Sequence, residues 1–355
     1  MGKEVVFLKF EALKIQNFVE LVMCKAGLSE QESRIFADSL LKAEMRGISS
    51  HGLTRLSTYA KRVELGLVAA GVTPELLQDG KTVLRIDGKN GMGAWIGTNV
   101  MATCIQRAKE YGNCFASVCG GNHFGYAAYY TEQAAKADMI GLAIANGPSA
   151  LPPTGGKRPV LGTNPVAISI PAGRYRPLTL DMATSAVARG KVALAKKNGT
   201  SIPAGWGLDE EGRPTTDPEK VLSGGSMLPM GGPKGYAISM IVEIMCSCLS
   251  GAANGQTMGS FYNLEKVQNS GYCFAAFDIS KMMDVELFKS RVDDLFDSIK
   301  ACPKAEGVDN IMIPGEIEAT KFEQAQREGV SVSQAVYQEL VAVSEHYSVA
   351  LPPLL

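Results

Sequence analysis

The sequence predicts an α/β (α+β) fold with a helical unit at its N-terminal end, on three observations. Apolar residues recur at helical spacing through 11–26, 30–45 and 52–65, and beyond them short β-rich runs alternate with helical ones. A loop rich in Pro and Gly at 150–165 separates two of the strand-like runs, so neighbouring strands need not be parallel. At 355 residues the chain can bury a large core, and its length suits two structural units.

In order, Gly27 separates the first two helices, and Ser29 with Glu32 forms a capping box for the second. The third helix ends at a turn-rich stretch, 66–80. Residues 83–87 read as a strand, 94–111 as a helix, and 114–118 as a strand leading into the glycine-rich loop around His123. A helix at 126–138 and strands at 139–145, 166–170 and 178–180 follow. Residues 186–197 look helical, and 199–230 are irregular except for a hairpin signal at 209–212. The run 235–253 is the most apolar, but Glu243 and several Ser and Cys residues make it a buried helix rather than a membrane span. A late strand at 273–278 and an amphipathic helix at 285–299 precede two tail helices, 316–328 and 333–346, which can return to the N-terminal unit.

Composition excludes several classes. With 35 basic against 36 acidic residues, the chain lacks the clustered positive charge of a nucleic-acid or membrane-surface binder. Residues 1–6 carry Glu4 and no apolar signal core, and Val6 breaks a myristoylation pattern, so secretion is not expected. The eight cysteines form no Cys-x-x-Cys pair and read as reduced packing thiols of a cytoplasmic protein.

The chemistry concentrates in 46–62. Gly47 can end one helix in the left-handed conformation, Ser49 and Ser50 can cap the next, and His51 then falls at a helix start. Leu53, Leu56, Ala60 and Val63 share a core-facing stripe, with His51, Arg55, Tyr59 and Arg62 opposite. That face is either simply solvated or a site. An Arg in the first turn opposes the helix dipole, so helix stability gives little reason for it. An imidazole, a guanidinium and a phenol beside Ser50 suit a small anionic substrate.

Standard motifs point elsewhere or nowhere. Neither Gly91-x-Gly93 nor Gly205-x-Gly207 completes a Rossmann fingerprint, and Glu75 stands where a P-loop ending at Gly80-Lys81-Thr82 needs glycine. The three histidines lack zinc-site spacing, so no metal is expected, and no Gly-x-Ser-x-Gly elbow occurs. His123 lies among Gly120, Gly121 and Gly125, where a ligand can approach the backbone. Lys234 and the amides of 232–236 would suit a pyrophosphate.

The block Arg46-Gly47-Ile48-Ser49-Ser50-His51-Gly52 resembles the signature of the malate/L-lactate dehydrogenase-like family, whose members include malate, sulfolactate and ureidoglycolate dehydrogenases and ketimine reductases. Five further blocks continue the resemblance in order: 121–125, 162–165, 180–184, 232–236 and 314–316. The resemblance implies a non-Rossmann fold with a mixed, largely antiparallel sheet. It further implies a helical domain of 1–78 completed by about 317–348, and an α/β domain of 79–316 with a cofactor segment nested at about 122–230. The implied activity is NAD- or NADP-dependent interconversion of a 2-oxo acid and a 2-hydroxy acid by a homodimer.

On that resemblance His51 and His123 are both candidates for the proton carrier, Ser50 orients or relays to His51, and Arg55 pairs with the substrate carboxylate, supported by Tyr59. Gly147, Asp181, Met182, Ala183, Thr184, Lys234, Pro314, Gly315 and Glu316 are the implied cofactor contacts. Asp181 holding a ribose hydroxyl tilts the choice towards NAD. Lys191, also a catalytic candidate, stands where ketimine reductases tend to carry an acid, so a keto acid is preferred over a cyclic imine. Asn122 and residues 146–153 depart mildly from the family pattern. The competing class is a carboxylate-binding protein without turnover, which Ser50, His51, Arg55 and His123 argue against.

Overall fold

The computed structural model describes residues 7–355, apart from the side chains of 194, 197 and 198. Residues 1–6, on which the reading against a leader rests, lie outside the described residues. Strand β1 (Phe7–Phe10) leads to α1 (Ala12–Ala26), which ends at Gly27 with φ +121°, and α2 (Glu30–Met45) starts from the Ser29–Glu32 capping box. Helix α3 (Leu56–Glu64) completes this group. The sheet strands then begin with β2 (Glu75–Asp79) and β3 (Val83–Asp87), followed by α4 (Gly93–Tyr111), β4 (Asn113–Gly121) and α5 (Ala128–Ala135). After β5 (Met139–Ala145), β6 (Val166–Ile170) and β7 (Leu178–Met182) comes α6 (Arg189–Asn198). Strands β8 (Gly207–Leu208) and β9 (Pro214–Thr215), helix α7 (Pro218–Leu222) and strand β10 (Ser226–Met227) follow, then α8 (Pro233–Glu243). The chain closes with β11 (Ser270–Asp278), α9 (Val285–Lys300), α10 (Glu316–Glu328), β12 (Val330–Ser333) and α11 (Gln334–Tyr347).

Seven strands form the main sheet in the order β2-β3-β4-β11-β5-β6-β7. Only the β3–β4 pair is parallel; the other pairs run antiparallel. The late strand β11 sits at the centre because eight of its nine residues are buried, which demands cover on both faces. On one face, α4 and α5 pack Ile96, Val100, Met101 and Tyr130 against Val118 and Phe274. On the other, Val242 and Cys246 meet Ile144 and Cys273. The tail does return: β1 pairs with β12, and Phe10, Phe18, Phe36 and Leu56 share one core with Val330, Val332, Leu340 and Val343. A small three-stranded sheet, β10-β8-β9, has its own apolar cluster including Leu151, Val192, Ile202 and Val221.

Three expectations need correction. The stretch 66–80 contains an edge strand, β2, whose five residues are all exposed, so no burial pattern marked it. The apolar run after residue 232 is not a buried helix. It is α8 continued by a π-turn, Ile244–Leu249, and it leaves Ile241, Ile244 and Leu249 half or more exposed, because only one side rests on the sheet. The third helix does not begin at His51 but at Leu56, after two 3₁₀ turns. Among the described residues no helix is long and apolar enough to cross a membrane.

Candidate active site

The two 3₁₀ turns, Ser49–His51 and Leu53–Arg55, owe their form to Glu44, a buried carboxylate at the end of α2. Its oxygens accept the Ser49 hydroxyl at 2.7 Å and the Leu53 amide at 2.8 Å. A Cβ on Gly52 would lie 2.1 Å from that carboxylate, so only glycine fits. Ser49 therefore does not cap the next helix, and neither does Ser50, whose Oγ lies 2.9 Å from His51 Nδ1.

His51 and His123 come together from segments 72 residues apart. Their rings stack with centroids 5.5 Å apart and planes 13° from parallel. The His123 loop is fixed from both sides: its amide donates to Gln268 Oε1 at 2.9 Å, and the buried Asn122 side chain donates to the carbonyls of Asn90 and Gly91. The Tyr59 side chain is buried, and its hydroxyl meets His123 Nδ1 rather than an open cavity. Arg55 Nε donates to the Ser50 carbonyl at 2.6 Å, with its guanidinium 5.2 Å from the Tyr262 ring centre and 5.8 Å from that of Phe261. Arg62, expected on the same polar face, is fully buried and donates to the carbonyls of Phe261, Asn263 and Lys266. It clamps the loop that carries the two aromatic rings.

Burial, and then the Arg55 charge, push His51 down to about 4. His123 is pushed well below its ordinary value by burial and by the charges of His51, Arg55 and Arg62. Both rings are neutral at pH 7 until something brings negative charge to them. A site of two imidazoles and a guanidinium invites an anion.

His51 and Ser50 also edge a cleft of about 540 Å³, whose far wall contains Asp181, Met182, Ala183, Pro314 and Gly315. Asp181 Oδ2 accepts the Ala128 amide at the start of α5 at 2.8 Å, and burial raises its carboxyl to about 6. Arg46, also on the cleft, pairs with Glu132.

The remaining predicted residues lie off this cleft. Thr184 is buried, its hydroxyl donating to the Thr163 carbonyl at 2.9 Å. Glu316 accepts from the Ile313 amide and from Lys300, both at 2.9 Å, and so closes the Pro314-Gly315 turn. Lys234 is exposed in the first turn of α8. Lys191 is exposed on α6 beside a separate shallow depression with Ser201 and Trp206.

The malate/L-lactate dehydrogenase family model matches residues 10–341. The chain belongs to that family. It is 36% identical over 335 residues to an L-sulfolactate dehydrogenase of Methanothermobacter thermautotrophicus, covering 94% of this chain and 96% of that one. It is 30% identical over 336 residues to the ureidoglycolate dehydrogenase (NAD(+)) of Escherichia coli K12, covering 94% and 95%. Among solved structures, the sulfolactate dehydrogenase from Methanocaldococcus jannaschii superposes with a TM-score of 0.90 at 35% identity, covering 97% of this chain and 98% of that one. The chain is thus a dehydrogenase of the malate, sulfolactate and ureidoglycolate type.

Within this family member, sequence reasoning missed a second buried polar node behind the cleft wall. Glu243 accepts from Asn146 at 3.0 Å, Asn164 at 2.8 Å and the Gly255 amide at 2.9 Å. Asn164 Oδ1 in turn accepts the Gly147 amide at 3.1 Å, so the Gly147 loop is held through a carboxylate four segments share. A lone acid inside an apolar run was the available signal, and it served only to exclude a membrane span. Glu44, Gln268, Phe261 and Tyr262 carried no motif at all.

Proposed function

We propose that the protein reversibly reduces a 2-oxo acid to a 2-hydroxy acid with a nicotinamide cofactor. The observation that carries this reading is the stacked His51–His123 pair with Arg55 beside it, at one end of a cleft large enough for much of a dinucleotide. The residues fit such a cofactor. Asp181, with one oxygen accepting the Ala128 amide, lines the cleft where it can accept a ribose hydroxyl, while the Pro314-Gly315 turn and Met182-Ala183 supply close walls. A Cβ on Gly147 would meet nothing within 4 Å, so that loop has room for a ligand. Lys234, Thr184 and Glu316 complete the proposed set, the last two as supports of the segments that line the cleft. A carboxylate suited to a ribose diol favours NAD over NADP.

When bound, the nicotinamide supplies or takes the hydride. The chain's own residues hold the acid and move the proton. Arg55 pairs with the carboxylate, its guanidinium steadied by the Ser50 carbonyl and the aromatic rings. As the carbonyl becomes an alkoxide, an imidazolium gives it a proton; in the reverse direction the neutral ring takes that proton from the hydroxyl. The substrate's negative charge offsets the mutual repulsion of the rings and Arg55, so protonation accompanies binding. Ser50 holds His51 by its Nδ1. Lys191, exposed on α6, would act only if the chain around it moved, and we give it no step.

The same reading keeps a helical domain of 1–78 with 317–348 beside the α/β domain of 79–316. It also keeps a homodimer, since the exposed apolar row of α8 is surface that a second copy would cover. Sedimentation velocity at micromolar concentration tests the dimer. Loss of nicotinamide absorbance with a panel of 2-oxo acids, including those of sulfolactate, malate and ureidoglycolate, tests the reaction. Cofactor binding without turnover of any acid would replace this reading with that of a binding protein.

A further inference from the structure

The Tyr59 hydroxyl stands between two hydrogen-bonding groups of His123. His123 Nδ1 is bonded to it, and the His123 carbonyl oxygen accepts from it at 3.4 Å. The ring that carries it cannot turn aside. It is 3% exposed and held edge-on between Phe36 and Phe261, each with its ring centre 4.8 Å away. The one remaining freedom is the direction of the hydroxyl hydrogen.

A phenol has one hydrogen and two acceptor positions. If the hydrogen goes to the His123 carbonyl, a lone pair of the phenol accepts an Nδ1–H, and both groups at the junction are satisfied. If it goes to Nδ1 instead, the carbonyl contact is unused and the proton of the neutral ring must sit on Nε2. Only the first arrangement leaves Nε2 free to take a proton from a hydroxy acid, and it serves the imidazolium unchanged, because Nδ1–H is present in both states. Burial keeps the phenol protonated, with the charges of Arg55 and Arg62 opposing it only in part. The other groups facing His123 are His51, Arg55 and Arg62, with Phe261 against the ring.

We infer that Tyr59 is a positioning residue that accepts Nδ1–H of His123, so that Nε2 is the nitrogen that exchanges the substrate proton. This rests on the reading that His123 takes part in the proton transfer. The partner is a neutral phenol where many catalytic histidines use a carboxylate, so it fixes the tautomer without adding a counter-charge.

The test is nitrogen-15 long-range correlation spectroscopy of the wild type and of Tyr59→Phe above pH 7, where the ring is neutral. The chain has three histidines, so His346→Gln and His51→Ala identify the His123 signal by subtraction. The expected result is the Nδ1–H tautomer in the wild type and a mixture in Tyr59→Phe. Alongside it, kcat should fall about 10- to 100-fold, with KM for NADH and the melting temperature nearly unchanged. An Nε2–H ring in the wild type, or a tautomer unmoved by Tyr59→Phe in a folded protein, overturns the inference. If the wild type turns over no 2-oxo acid, the reaction reading fails, while the tautomer result still decides the role of Tyr59.

Discussion

Two polar regions flank the cleft, one buried and one partly buried, and they are built on opposite rules. Around Glu243 each carboxylate oxygen has its donors, from Asn146, Asn164 and Gly255, and those amides are engaged again by the chain beyond. Around His51 and His123, among the described residues, one nitrogen of each ring is hydrogen-bonded, with Ser50 for one and Tyr59 for the other. A completed network rigidifies, because any departure strands a buried donor. The partly buried ring nitrogens left over on His51 and His123 are open to a ligand. The difference teaches where to look for chemistry in this molecule: at the open nitrogens, with the closed node serving as scaffold.

Substitutions should separate the two regions. The largest effect is expected from His123→Ala, which should lower kcat by about 10²–10⁴-fold while leaving NADH binding nearly intact. Equal loss of cofactor affinity in steady-state and binding measurements would make it scaffold instead. Next, Arg55→Ala should weaken the 2-oxo acid by roughly 2–5 kcal/mol and the cofactor far less. Inhibition by a non-reducible acid compared with NADH titration reads the two separately.

On the closed side, Glu243→Ala leaves three donors without their acceptor. It should lower stability by about 1–3 kcal/mol for each one that no water reaches, seen as a drop in melting temperature. A variant that melts like the wild type but loses turnover would erase the distinction between the regions.

The smallest effect concerns acid. The unfolded chain protonates His51 near 6.5, whereas the folded chain resists until about 4. His51 therefore costs nothing above that window, and stability declines as pH falls through it. His51→Gln should flatten this slope in denaturant titrations between pH 4 and 7, and an unchanged slope would mean that the ring is not held neutral.

The order of strands and helices was legible wherever periodicity and burial agree. The capping box at Ser29, the strands at 139–145 and 166–170 and the helix at 316–328 appear in the structure as read. Strand β2 was not, because an exposed edge strand has no buried face to set a period. The 3₁₀ turns at 49–55 were hidden for another reason: Glu44, which shapes them, looks in sequence like any helix-surface acid. The candidate site shows the same limit. His51, Arg55 and His123 stand out by residue type, but their stacking and the burial of Tyr59 and Arg62 depend on contacts across the fold. Gln268 and Phe261, from a loop without pattern, could be found only there.

The most direct test of histidine-mediated proton transfer is the pH dependence of kcat/KM for 2-oxo acid reduction in the wild type, His51→Ala and His123→Ala. In the wild type the rate should fall as pH rises through a carrier pKa set below 6.5, as the depressed values of both rings require, and oxidation of the hydroxy acid should show the opposite limb. One alanine variant should lose that limb and the other should keep it with a reduced rate. If both retain wild-type turnover and the same limb, neither ring carries the proton and the account is contradicted.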